Sequence, residues 1–88
     1  MPGSPPVESS RGPQLAELMA RVRAARSEVD VLRSGRVDPA MLVTARGVLL
    51  DALEGLAAEL LRRRLPVPPA LRDELRLQRR IRGALRVR

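Results

Sequence analysis

Residues 38–69 read DPAMLVTARGVLLDALEGLAAELLRRRLPVPP, and the way this stretch folds decides the rest of the chain. It opens on Asp38 and Pro39, a carboxylate that caps free helix amides and a ring whose fixed φ suits a first helical turn. From there Leu42, Ala45, Leu49, Ala52, Leu53, Leu56 and Leu60 follow the helical period as one stripe. Val48, Leu50, Ala57 and Leu61 widen that stripe, so the polar positions shrink mainly to a strip through Thr44, Gly47, Asp51, Glu54 and Arg62. A helix this apolar is expected to be covered on more than one side, at the centre of the fold. Three arginines close the stretch, and LPVPP follows, where prolines favour a stiff elbow over continued helix. The expectation is a helix over 39–64 and an elbow over 65–69.

Upstream, residues 14–34 place Leu15, Leu18, Val22, Ala25, Val29 and Leu32 at alternating steps of three and four, a heptad seam. Pro13 suits the start of this helix and Gly35 its end. Its other face mixes signs, with Glu17 four residues before Arg21 and Arg26 four before Asp30, pairs that mark a wetted surface. The short link from Gly35 to Asp38 makes the two helices an antiparallel hairpin.

Downstream, residues 69–88 resume the helical pattern. Leu71, Leu75, Leu77, Ile81, Ala84 and Leu85 fall on one half of the circle, and Arg72, Arg76, Arg79, Arg80 and Arg86 on the other. Glu74, Gln78 and Arg82 break the division, since all three project near the middle of the apolar half. Their spacing of four suggests a polar ladder along the helix. No segment alternates as a strand does. The fold class expected is all-α, an antiparallel helical hairpin plus a third basic amphipathic helix. That helix either closes a three-helix bundle or projects from the hairpin. Residues 14–88 form one helical domain in this reading, and the Pro-, Gly- and Ser-rich residues 1–13 a disordered tail.

Composition narrows the function. The 88 residues include no Phe, Tyr, Trp, Cys or His, so the core is built from Leu, Val and Ala with no disulfide or zinc to reinforce it. Small scaffolds of this kind lean on oligomerisation or a partner. All 17 basic residues are arginine. Phe, Tyr, Asn and Lys are all missing and share AT-rich codons, so genome base composition is the simplest cause. The placement of the arginines is informative where their identity is not. Residues 1–61 hold seven Arg against eight acids, net −1, and residues 62–88 hold ten Arg against two, net +8.

Without His, Cys, Lys or Tyr, the usual general bases and nucleophiles are missing, and no residue activates the serines. One enzyme class passes this inventory: all-helical chorismate mutases work with Arg, Glu and Gln, yet the lysine of that family is absent here. Asp51, Glu54 and Glu59 read as solvated or ion-paired side chains, and Gly47 and Gly55 are single glycines with no phosphate loop around them. No catalytic residue, metal site or cofactor is expected. The apolar run VLLDALEGLAAELL is interrupted by Asp51, Glu54 and Glu59 and falls short of a membrane span, so a cytoplasmic protein is expected.

These observations point to a small interaction module that works by self-association or by completing its seam with a partner helix. The residues expected at the apolar contact are Leu15, Leu18, Val22, Val29, Leu42, Leu49, Leu53, Leu56 and Leu60. Arg72, Arg76, Arg79, Arg80 and Arg86 are expected to meet an acidic surface. The alternative is a nucleic-acid-binding protein that grips phosphates with the same arginines. That reading is limited to non-specific binding. The basic half carries no Asn, Gln, Ser or Thr for base edges and no aromatic ring for stacking.

Overall fold

The computed structural model describes residues 14–36 and 38–86. The tail expected over residues 1–13, with Pro13, lies outside the described residues, as do Val37, residues 87–88 and the side chains of Leu85 and Arg86. Three helices form in order: α1 (Leu15–Ser34), α2 (Pro39–Arg62) and α3 (Pro69–Arg86). The fold is all-α, and no strand occurs among the described residues.

Helix boundaries follow the local chemistry. At the start of α1, the Gln14 N–H donates to Glu17 Oε1 at 3.3 Å, which ties the entering chain to the first turn. Glu17 is therefore engaged at the helix start and forms no ion pair with Arg21. The Ser34 hydroxyl ends α1 by donating to the carbonyls of Asp30 and Val31, both at 3.1 Å. Asp38 begins α2 as expected: its Oδ1 accepts from the Ala40 N–H at 2.9 Å, with Pro39 at the first helical position.

The end of α2 differs from the expected Arg64. The helix stops at Arg62, and Arg64 takes a left-handed conformation with φ 60°. The Leu65 N–H donates to the Leu60 carbonyl at 2.8 Å and the Arg64 N–H to the Leu61 carbonyl at 3.0 Å. These two bonds define a Schellman cap, which satisfies the last carbonyls of α2 before the prolines begin. The elbow is correspondingly displaced: Pro69 belongs to α3, and the Arg72 N–H already donates to the Pro68 carbonyl at 3.0 Å.

The hairpin is antiparallel. Leu32 adjoins Leu42 at one end, Ala25 adjoins Val48 and Ala52 midway, and Leu15 adjoins Leu60 at the other end. The third helix does not project. It folds back along α2, with Leu71 beside Leu56 and Leu60, and Gln78 and Ile81 beside Val43 and Leu50. Its link to α1 is a forked ion pair, in which Arg26 Nε and Nη2 donate to Glu74 Oε2 and Oε1 at 3.0 and 2.5 Å. The hydrogen bond to Glu74, with the charges of Glu74 and Asp30, raises the Arg26 pKa further against the opposing effect of desolvation.

The core joins all three helices. Leu18, Val22, Ala25, Val29 and Leu32 come from α1, Ala45, Leu49, Leu50, Leu53 and Leu56 from α2, and Leu71 and Leu75 from α3. Leu53 is completely buried and Leu49 nearly so. Both lie where α2 is covered on two sides; of the residues that widen its stripe, Leu50 is buried and Ala57 half-buried, whereas Val48 and Leu61 are exposed.

Candidate functional site

The packing of α3 determines what it presents outward. Leu71 and Leu75 face the core, so the opposite side, with Arg72, Arg76 and Arg80, is exposed. These three lie one helical step of four apart, a row roughly 12 Å long at 1.5 Å per residue. None forms an ion pair among the described residues, although four ion pairs occur elsewhere in the fold. Like charges four apart on a helix repel by a few tenths of a kcal/mol per pair. The row is thus a local cost to α3, and among the described residues no carboxylate forms an ion pair with it, exposed Asp73 beside Arg72 included.

The other arginines divide. Arg79 is taken by Glu54 of α2, with Nε to Oε2 at 3.1 Å, so it fastens α3 to α2 and is not part of the free row. The side chain of Arg86 lies outside the described residues. Arg62 and Arg63 both donate to Glu59, Arg63 Nε to Oε2 at 2.6 Å. These hydrogen bonds lead in holding the Glu59 carboxyl below its ordinary pKa, against a smaller opposing effect of desolvation. Arg64 is exposed, with no ion-pair partner among the described residues. On α3 and its elbow, the exposed arginines without an ion pair among the described residues are Arg72, Arg76, Arg80 and Arg82, with Arg64.

Two further sequence expectations need correction. The polar ladder does not form: Glu74 turns to Arg26, Gln78 is buried, and Arg82 is exposed. Gln78 Oε1 has no hydrogen-bond partner among the described residues. Glu59 is ion-paired, one of the two environments expected of it, and is buried beneath Arg62 and Arg63. Arg26 reaches across to α3 instead of along α1 to Asp30. Spacing could have revealed Arg62 and Arg63, three and four residues after Glu59. Arg26 and Glu74 are 48 residues apart, and no sequence period links them.

The structure places the nine residues expected at an apolar contact within the chain itself. Leu18, Val22, Val29, Leu49, Leu53 and Leu56 are buried, and Leu15, Leu42 and Leu60 are half-buried against them. Their seam closes between α1 and α2, and Leu71 and Leu75 of α3 join the core from the α2 side. No group of three or more acidic side chains that could hold a metal occurs among the described residues, and no described helix is long and apolar enough to cross a membrane. The fold and its surface define a three-helix bundle with one helix carrying a free arginine row. Compared with protein-family models, curated proteins and solved structures, the chain matches none.

Proposed function

We propose that this protein is a non-catalytic interaction module whose third helix docks on an acidic surface of a partner protein. The observation that carries the reading is the row Arg72, Arg76 and Arg80. It is exposed and forms no ion pair among the described residues, on a helix whose opposite side is anchored in the core. A positive row held on a packed helix is pre-organised, so docking loses little conformational freedom on this side. Planar guanidinium groups also suit bidentate pairing with carboxylates. Phosphates offer the same geometry, and nucleic acid is the competing ligand. The surface near the row favours protein, because the exposed neighbour Leu77 supplies an apolar contact and no ring supplies a stacking platform.

The test is capture from the native cell at low salt, with the wild-type chain beside a triple variant, Arg72→Gln, Arg76→Gln and Arg80→Gln. An acidic protein retained by the wild type, lost by the variant and released by salt supports the reading. The chain has no Trp or Tyr, so co-purified nucleic acid is visible directly in the near-ultraviolet. A nucleic-acid band that depends on the three arginines, with no protein beside it, transfers the function to phosphate binding. Equal retention by both proteins removes the arginine row from either function.

A further inference from the structure

We propose that the side of the hairpin turned away from α3 is a second, separate interface, and that its occupant is another copy of this chain, packed antiparallel. Two adjoining grooves run between α1 and α2 there, of about 420 and 490 Å³, and Ala25, Glu28 and Val48 line both. Met41 and Val48 border the grooves at 52% and 54% exposure, so two sizeable apolar side chains stand in solvent beside a channel. At the centre the floor is low, because Ala24, Ala25 and Ala52 carry only methyl groups.

The charges beside the grooves identify the occupant. Asp51, Arg21 and Glu28 line the second groove, all exposed and none in an ion pair among the described residues; Arg21 and Glu28 are the two that share α1. They are seven residues apart, roughly 10 Å along the helix, with Ala24 and Ala25 midway between them. A two-fold axis crossing α1 at that midpoint sets Arg21 of each copy opposite Glu28 of the other. The two attractions arise from one contact repeated, as an isologous interface requires. No acidic or basic partner surface would satisfy both charges so simply.

Area and global charge agree. A face about 30 Å long and two helices wide, with axes 8–10 Å apart, offers roughly 600 Å² per copy, near the range of stable interfaces. The positive excess lies in residues 62–88, and residues 1–61 are net −1. Pairing through the hairpin therefore brings together the nearly neutral parts and leaves both arginine rows free. The interface is independent of the proposed arginine function, and either one can fail alone.

The experiment is sedimentation equilibrium over a concentration series, with helicity followed by far-ultraviolet circular dichroism. Wild type is expected to dimerise. Arg21→Glu and Glu28→Arg each turn two attractions into two repulsions and should weaken the dimer at least about tenfold. Both positions are exposed, so the fold should persist. An equimolar mixture of the two single variants should recover a dimer, since each now supplies the charge the other lacks. The double variant on one chain should dimerise as wild type does. A monomeric wild type overturns the proposal, and so do single variants that dimerise normally or a mixture that stays monomeric.

Discussion

Gln78 is the position where a single substitution should make this protein more stable. Its side chain is 6% exposed, it lies beside Leu50 and Ile81, and Oε1 finds no donor. A buried acceptor left without a donor costs about 1–3 kcal/mol. Methionine has the same unbranched length and nearly the same volume, so Gln78→Met removes the polar atom without opening a cavity. Volume-conserving apolar exchanges in cores usually cost less than about 1.5 kcal/mol, so a mid-range penalty of about 2 kcal/mol leaves a net gain of about 0.5–2 kcal/mol. For a domain of this size each kcal/mol shifts Tm by about 4–8 °C, so an increase of about 2–16 °C is expected. Thermal and urea unfolding followed by far-ultraviolet circular dichroism would measure it, and the urea midpoint should rise with no change in slope. Gln78→Ala is the control: it also removes the amide but leaves a void, and should not stabilise. A Gln78→Met protein no more stable than wild type would show that the amide is satisfied in solution, and the argument from its burial would fail.

Other substitutions test the remaining contacts. Leu53 is fully buried between the helices, so Leu53→Ala should cost about 2–5 kcal/mol, measured by urea unfolding, and leave little folded protein in so small a core. Arg64 is held at φ 60°, a conformation open to glycine without steric cost, so Arg64→Gly should raise stability by about 0.5–1 kcal/mol in the same assay. The carboxyl of Glu59 is depressed when folded, so it stabilises above the ordinary carboxylate pKa of 4.5 and that contribution is lost as pH falls through the lower folded value. An acid titration of stability should therefore fall below pH 4.5, and less steeply for Glu59→Gln. Arg26→Gln and Glu74→Gln should show a coupling of about 0.2–1 kcal/mol in a double-mutant cycle, because Arg26 is nearly half exposed.

The helices were legible in the sequence because their signals are local. Asp38-Pro39 states its own meaning, and Leu42, Leu49, Leu53 and Leu56 share a face at any position of the other helices. Those signals could not say which apolar residues are satisfied within the chain. The seam from Leu15 to Leu32 is filled by α2, whereas the second covered side of α2 is known only once α3 is seen to fold back, and that depends on the elbow. Arg64 sets the elbow by taking a conformation that arginine seldom adopts, and nothing in its spelling announces it. The arginine row was half legible for the same reason. A helical wheel groups Arg79 with Arg72, Arg76 and Arg80, yet Glu54 of a neighbouring helix removes it from the free surface. One-dimensional periodicity sorts residues by face, and only tertiary contact decides which charges on a face are already used.

The positions of Gln78 and the free arginines have a common consequence. Leu71 and Leu75 fix the first half of α3 in the core, and two ion pairs, Arg26 with Glu74 and Arg79 with Glu54, tie it to both other helices. Beyond Arg79 the grip weakens: Ile81 is half-buried, Arg82 and Ala84 are exposed, and the adjacent contact is an amide with an unpartnered oxygen. Among the described side chains, the buried apolar anchors of α3 are Leu71 and Leu75 in its first half, while mutual repulsion runs along its outer row through Arg80. An acidic partner that neutralised the row would relieve that repulsion and stabilise α3 on the bundle. In the proposed reading, docking and the stability of this packed helix are linked through the same three side chains, so binding should raise the stability of α3.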